Sequence, residues 1–216
     1  FLDGGESLLA ASSAGAGYIT QDAVLRFSVT TGEAHEFREY PDGIRSIGVL
    51  TASSRLIAAG LGGLYSEPLA VRSPRLPARL RLPTGRPVDC ASFSPDCQRV
   101  ALSYDGDVYV VSVSRRDLEM TIRSGVGKLT SIAWDAGMLS ALGADHRVRA
   151  WNETTGNLVA TWGDASIPMH SYSLVSQGEF ACLGAAGSRL LAWRHDGSCV
   201  VRDLGTPITC IALSPS

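Results

Sequence analysis

The stretch Val88-Asp89-Cys90-Ala91-Ser92-Phe93-Ser94-Pro95-Asp96 decides how this chain folds. It alternates, meets a Ser-Pro-Asp turn signal, and leads into a second apolar run, Arg99 to Ser103. The turn Tyr104-Asp105-Gly106-Asp107 separates that run from a third, Val108 to Val113, and a fourth run, Leu118 to Arg123, ends the set. Short period-two runs separated by Asp/Gly turns predict an antiparallel four-stranded meander. Each strand buries alternate side chains, and each turn supplies the positive φ that a tight hairpin requires.

The same order returns downstream. Leu129 to Trp134 is followed by Met138 to Leu142, the turn Gly143 to His146, Val148 to Trp151, and Leu158 to Trp162. A third copy runs through His170 to Leu174, Phe180 to Leu183, Leu190 to Trp193 and Cys199 to Arg202. The last residues of successive first strands are Phe1, Leu50, Phe93, Trp134, Leu174 and Leu213, at intervals of 49, 43, 41, 40 and 39 residues. The first interval is longer because Ala14 to Asp22 expands the turn between second and third strands. A period of about 40–45 residues with four strands per unit is that of propeller blades. Residues 1–216 therefore read as one array of five units, all-β, with no linker dividing it.

Thr130-Ser131-Ile132-Ala133-Trp134, followed by Asp145-His146-Arg147-Val148-Arg149-Ala150-Trp151-Asn152-Glu153-Thr154-Thr155-Gly156-Asn157, resembles the WD-repeat β-propeller family. So do Phe93-Ser94-Pro95-Asp96 with Asp105-Gly106-Asp107-Val108-Tyr109-Val110, and Arg26 to Glu33. The unit from Ile44 to Pro87 fits worst. The family's Trp-Asp dipeptide is replaced by Phe27-Ser28, Val111-Ser112, Trp151-Asn152 and Trp193-Arg194, and its Gly-His is absent. Of the family's buried hydrogen-bond network, only the turn Asp (Asp105, Asp145) and the Trp (Trp151, Trp193) carry over, so apolar packing is expected to hold the blades. The resemblance implies a propeller of commonly seven blades. About five are present here, and the chain, ending inside a further first strand (Pro207 to Ser216), is expected to be part of a longer propeller. The competing reading closes five blades into a ring, with that last strand completing the first blade.

Nineteen basic groups against 21 acidic ones give a net charge of −2, which removes whole-surface attraction to nucleic acid or anionic membrane as a driving force. No stretch has the roughly 18 apolar residues a membrane span needs, so no membrane insertion is expected. The five cysteines, Cys90, Cys97, Cys182, Cys199 and Cys210, form no metal or disulfide spacing. They read as small core residues in a reducing compartment, which favours an intracellular protein, cytoplasmic or nuclear.

No cofactor, metal site or catalytic set is expected. Gly125-Val126-Gly127-Lys128 lacks the first glycine and the Ser/Thr of a phosphate loop and joins two strands. The histidines are scattered, and Asp145 beside His146 reads as a turn residue that orders backbone amides. Asn152-Glu153-Thr154 reads as a turn. Arg72, Arg75, Arg79, Arg81 and Arg86, interleaved with prolines and with no acid between, have two readings. They form a solvated edge strand kept from pairing by its prolines, or a stripe that docks an acidic partner or RNA. Arginine supplies every cation but Lys128, which favours the first.

The loop face of such a propeller is expected to present Tyr18, Asp22, Arg45, Tyr104, Asp105, Lys128, Asp145, His146, Asp164, Met169 and Arg189. Mixed charge with aromatic residues suits protein recognition better than a small-molecule pocket, so no small-molecule substrate is expected. The sequence thus predicts a non-catalytic scaffold that holds other proteins in a multi-subunit complex. An RNA-associated assembly factor using the arginine stripe is the alternative. A propeller enzyme is the more distant one, since the Trp151 to Gly156 turn also resembles repeats of quinoprotein dehydrogenases.

Overall fold

Ile57-Ala58-Ala59, Ala101-Leu102-Ser103 and Ser140-Ala141-Leu142 are small-residue apolar runs that sit at corresponding places in successive repeats. All are buried, as are most of their neighbours in the same strands. A strand buried on both faces must lie between two covering layers, and that requirement organises the molecule.

The computed structural model describes residues 7–12, 22–31, 33–40, 44–50, 54–60, 63–68, 78–80, 88–135, 137–175 and 179–211. They form 19 strands, and no helix is present among the described residues. Sheet I holds β1 (Ser7–Ser12), β2 (Asp22–Ser28) and β3 (Ala34–Tyr40). Sheet II holds β4 (Ile44–Leu50), β5 (Arg55–Gly60), β6 (Gly63–Pro68) and β7 (Ala78–Leu80). Sheet III holds β8 (Cys90–Phe93), β9 (Arg99–Tyr104), β10 (Asp107–Ser112) and β11 (Leu118–Arg123). Sheet IV holds β12 (Leu129–Asp135), β13 (Met138–Gly143), β14 (Val148–Asn152) and β15 (Leu158–Trp162). Sheet V holds β16 (Ser171–Leu174), β17 (Phe180–Ala186), β18 (Arg189–Arg194) and β19 (Cys199–Asp203). Every sheet is an antiparallel meander in sequence order, so the architecture is all-β with blade-like sheets.

Each sheet lays one face on the next. Val24 of sheet I packs with Leu56 and Tyr65 of sheet II, and Ile57 and Leu64 of sheet II pack with Val100 and Val111 of sheet III. Val108, Val110 and Ile122 of sheet III meet Ile132, Trp134 and Trp151 of sheet IV. Val148, Ala150 and Trp162 of sheet IV meet Tyr172 and Trp193 of sheet V and Met169 of the loop that precedes it. The first strands of sheets II to V run alongside one another: β4 contacts β8, and β12 contacts β8 and β16; β4 also contacts β1. Outer strands are the most exposed, and β19 is exposed throughout.

Local devices repeat as well. Ser28, Ser112 and Asn152 each end a third strand and donate a backbone N–H to the residue five further on, Glu33, Asp117 and Asn157. Their side-chain oxygens accept from the amides of Thr31, Arg115 and Thr155, which locks the turn into the fourth strand. By this mark β1, β2 and β3 are the second to fourth strands of their unit. The first strand read as ending at Phe1 lies outside the described residues, as does the expanded turn from Ala14. A bulge skips one fourth-strand residue at the same register step in sheets III and IV, Val110/Val111 and Ala150/Trp151.

Of the first strand read over Pro207 to Ser216, residues 207–211 carry no strand and residues 212–216 lie outside the described ones. A first strand acquires its ladder from a second strand, and none adjoins it among the described residues. One expectation needs correction. The cysteines are all free but do not all belong to the core: Cys182 is buried, Cys90 and Cys97 are half-buried, and Cys199 and Cys210 are exposed. Position in the repeat separates them, since Cys199 opens an outer strand.

Candidate interaction face

In sheets III to V the turns between second and third strands and the loops between sheets are joined by hydrogen bonds into one margin. Asp105 (φ 51°) and Gly106 (φ 81°) are the two central residues of the β9–β10 hairpin, flanked by the Tyr104–Asp107 pair. Positive φ at both is the turn type whose twist matches the flanking strands. In the β13–β14 turn His146 (φ 61°) takes the left-handed position, with Gly143 and Arg147 closing the loop by a 2.9 Å backbone hydrogen bond.

The loops between sheets III and IV and between sheets IV and V are each pinned to elements of the sheets on their two sides. Ser124 Oγ donates to the Gly106 carbonyl, and Val126 N donates to Ser124 Oγ at 3.2 Å. At the other end of that loop, the Lys128 carbonyl accepts from Ala144 N at 2.9 Å. The next loop repeats the arrangement. His146 Nδ1 donates to the Met169 carbonyl at 3.3 Å, and His170 N donates to the Ala185 carbonyl at 3.1 Å. The loop after β19 is tied by Leu204 N to Ser188 O and by Ile208 N to Gly187 O.

Against this frame the predicted residues fall into distinct groups. Arg45, Asp105, Lys128, Asp164 and Arg189 are exposed on the margin. Tyr104 is half-buried, its ring tilted 36° against Tyr109 with centroids 6.2 Å apart. Asp145 is engaged: Arg149 grips its carboxylate with bonds of 3.0 and 2.6 Å, which holds its pKa below the usual aspartate range. The principal partner is therefore a side chain, with the Arg147 amide a weaker one at 3.4 Å. Asp164 accepts from Ser166 N and Oγ at 2.8 and 2.9 Å, and its pKa is lowered in turn. Met169 faces inward and is only 4% exposed; its sulfur sits over Gly184 and beside Trp193, because the apolar side chain fills the space a glycine leaves. Tyr18 and the side chain of Asp22 lie outside the described residues. So do Arg72, Arg75, Arg81 and Arg86; Arg79 is described by its backbone alone, in β7 opposite Tyr65.

Asp145 and His146 adjoin in sequence but serve different partners, so they do not form an acid–base couple. Among the described residues no three His, Cys, Asp or Glu side chains are grouped to hold a metal ion, and no helix is long and apolar enough to cross a membrane. Sequence reading missed Ser124 and Arg149. A loop serine carries no signature for a carbonyl one hairpin away, whereas Arg149, four residues after an aspartate in a hairpin, was legible in principle.

No protein-family model matches this sequence, and no curated protein matches it.

Proposed function

We propose that this chain is part of a WD-repeat-like β-propeller that works as a non-catalytic scaffold, binding other proteins within a multi-subunit intracellular complex. The observation that carries the reading is the double pinning of the inter-sheet loops. Loops tied at both ends to neighbouring turns hold Lys128 in a fixed position and brace the hairpin turn that carries Asp105 and the turn beside Arg189, so little ordering entropy is lost when a partner docks. Face-to-face stacking of consecutive meanders through their first strands supports the propeller geometry.

The experiment is affinity purification of the full-length protein from its own cells at two salt concentrations, with and without ribonuclease, beside an Arg45→Glu/Lys128→Glu/Arg189→Glu variant. A defined set of proteins that survives salt and ribonuclease, and is lost in the variant while its melting temperature is unchanged, supports the scaffold. Partners retained by the variant move the site off this face. Loss on ribonuclease treatment transfers the role to the Arg72 to Arg86 stripe and RNA, and a lone monomer carrying a bound cofactor overturns the scaffold.

A further inference from the structure

The loop Ser124-Gly125-Val126-Gly127-Lys128, between β11 and β12, combines a fixed backbone with unused hydrogen-bonding capacity. Ser124 Oγ donates to the Gly106 carbonyl and accepts from Val126 N, and the Lys128 carbonyl accepts from Ala144 N. The N–H groups of Gly125, Gly127 and Lys128 have no hydrogen-bond partner among the described residues, and all three residues are exposed. A Cβ at Gly125 or Gly127 would meet nothing within 4 Å, so the space beside the loop is open. Gly125, at φ 72°, takes the left-handed conformation with which a turn can aim neighbouring amides at one anion.

Cations flank these amides. Arg123 ends β11 on one side of the loop and Lys128 stands on the other; both are exposed, and neither forms an ion pair among the described residues. Arg45, at the start of β4, is exposed and unpaired in the same way. β8 contacts both β4 and β12, and Arg45 and Lys128 both act on the Cys90 thiol at its start, working against the burial that raises its pKa. Most carboxylates of the margin are engaged. Asp145 is held by Arg149, Asp164 by Ser166, and Asp203 accepts from Gly205 N at 2.9 Å. Asp89 and Asp107 are half-buried, so among the described carboxylates there Asp105 alone is exposed without an internal partner. The surface met at this loop carries three exposed cations and one exposed carboxylate.

We propose that this loop is the docking site for an acidic segment of a partner protein. An extended run of Asp and Glu would set its carboxylates against Arg123, Lys128 and Arg45 and accept hydrogen bonds from the free amides of Gly125 and Gly127. Carboxylate is the matching chemistry, since it accepts from amide N–H groups and offers arginine two oxygens at once. A loop that is already pinned loses little freedom when it binds. A polynucleotide fits less well, because Asp89, Asp105 and Asp107 stand among the cations and oppose a continuous phosphate chain. The inference rests on the scaffold reading for the occupant being a protein.

The test uses the full-length protein and three fluorescent probes read by anisotropy: a short peptide of alternating Glu and Ser, the same peptide with Gln in place of Glu, and a short oligouridylate. The glutamate peptide is expected to bind, and more weakly as salt rises. Arg123→Gln/Lys128→Gln should lower its affinity about tenfold, while Arg189→Gln, on an exposed cation away from the loop, leaves it unchanged. Melting temperatures should match the parent's, since all three side chains are exposed. Equal affinity for the glutamine peptide, tighter binding of the oligouridylate, or the same loss from Arg189→Gln overturns the site. Purification of parent and Arg123→Gln/Lys128→Gln protein from cells separates the two readings. Protein partners that the variant loses, and that the glutamate peptide displaces from the parent, support both. Partners retained by the variant overturn the docking site and leave the scaffold standing. No partner with the parent overturns the scaffold but not the loop's carboxylate site, which the peptide affinities decide.

Discussion

The guanidinium of Arg99 lies 4.8 Å from the ring centroid of Trp134, across the boundary between sheets III and IV. Glu153 completes the contact. It accepts from the Trp134 indole N–H and, at 3.1 Å, from Arg99 Nη2. A planar cation that stacks and forks at once is specific to arginine. With Arg99 and Glu153 about a quarter exposed, solvent screens part of the pair. Arg99→Ala is expected to cost about 1–2 kcal/mol in urea unfolding, with Arg99→Lys losing most of that despite keeping the charge. A lysine variant as stable as the parent would show that charge alone matters there.

Gly106 should tolerate no side chain. Its φ is 81°, and a Cβ would fall 1.8 Å from the Val126 carbonyl oxygen, on backbone that Ser124 holds in place. Gly106→Ala is expected to destabilise the protein by about 2 kcal/mol or more. Gly187, also at positive φ but with nothing near its Cβ position, should suffer only the conformational penalty, about 1 kcal/mol, when changed to Ala. Equal losses in the two variants would mean that the loop yields.

Asp145 gives a pH signature. Arg149 depresses its pKa in the folded state, so the pair contributes stability at neutral pH. That contribution is lost as pH falls from the ordinary aspartate value of about 3.9 through the lower folded value. Asp145→Asn should cost about 1 kcal/mol at pH 7, a figure limited by partial exposure, and the difference from the parent should vanish in strong acid. A difference that persists unchanged at about pH 2, below the ordinary aspartate range, would assign the loss to packing.

The cysteines should separate by reactivity. Burial pushes the Cys90 thiol up to about 11 and the Cys182 thiol up to about 12, while Cys199 is exposed. Alkylation of the native protein at about pH 8 should modify the exposed Cys199 and Cys210 first and Cys182 only on unfolding, read by mass spectrometry. Early loss of Cys182 would place β17 in a region that opens readily.

Much of the architecture was open to reading because strand and turn signals are local. Alternation of side chains has a period of two, and Asp105-Gly106 needs only its own backbone preference to make a hairpin. The strand boundaries from β8 to β19 accordingly lie within a residue or two of their sequence limits over most of their length, though β8 is shorter and β17 extends three residues further. The face residues were harder. Met169 sits in a loop, and nothing nearby in sequence indicates that Gly184, fifteen residues on, leaves room for its sulfur. The same holds for Arg99, whose partners Trp134 and Glu153 belong to the next repeat.

The sequence by itself determined the all-β character, the repeat length and the order of strands within each sheet, because these follow from periodicity and turn chemistry inside some forty residues. Only the tertiary structure decided which faces are sealed, which loop atoms pin one another, and which charged groups are exposed. Those depend on sheets meeting across a repeat boundary. Burial and pairing there are set by three-dimensional neighbours, so Asp145 is bound, Lys128 is exposed, and Val200 stands uncovered where its counterparts are packed.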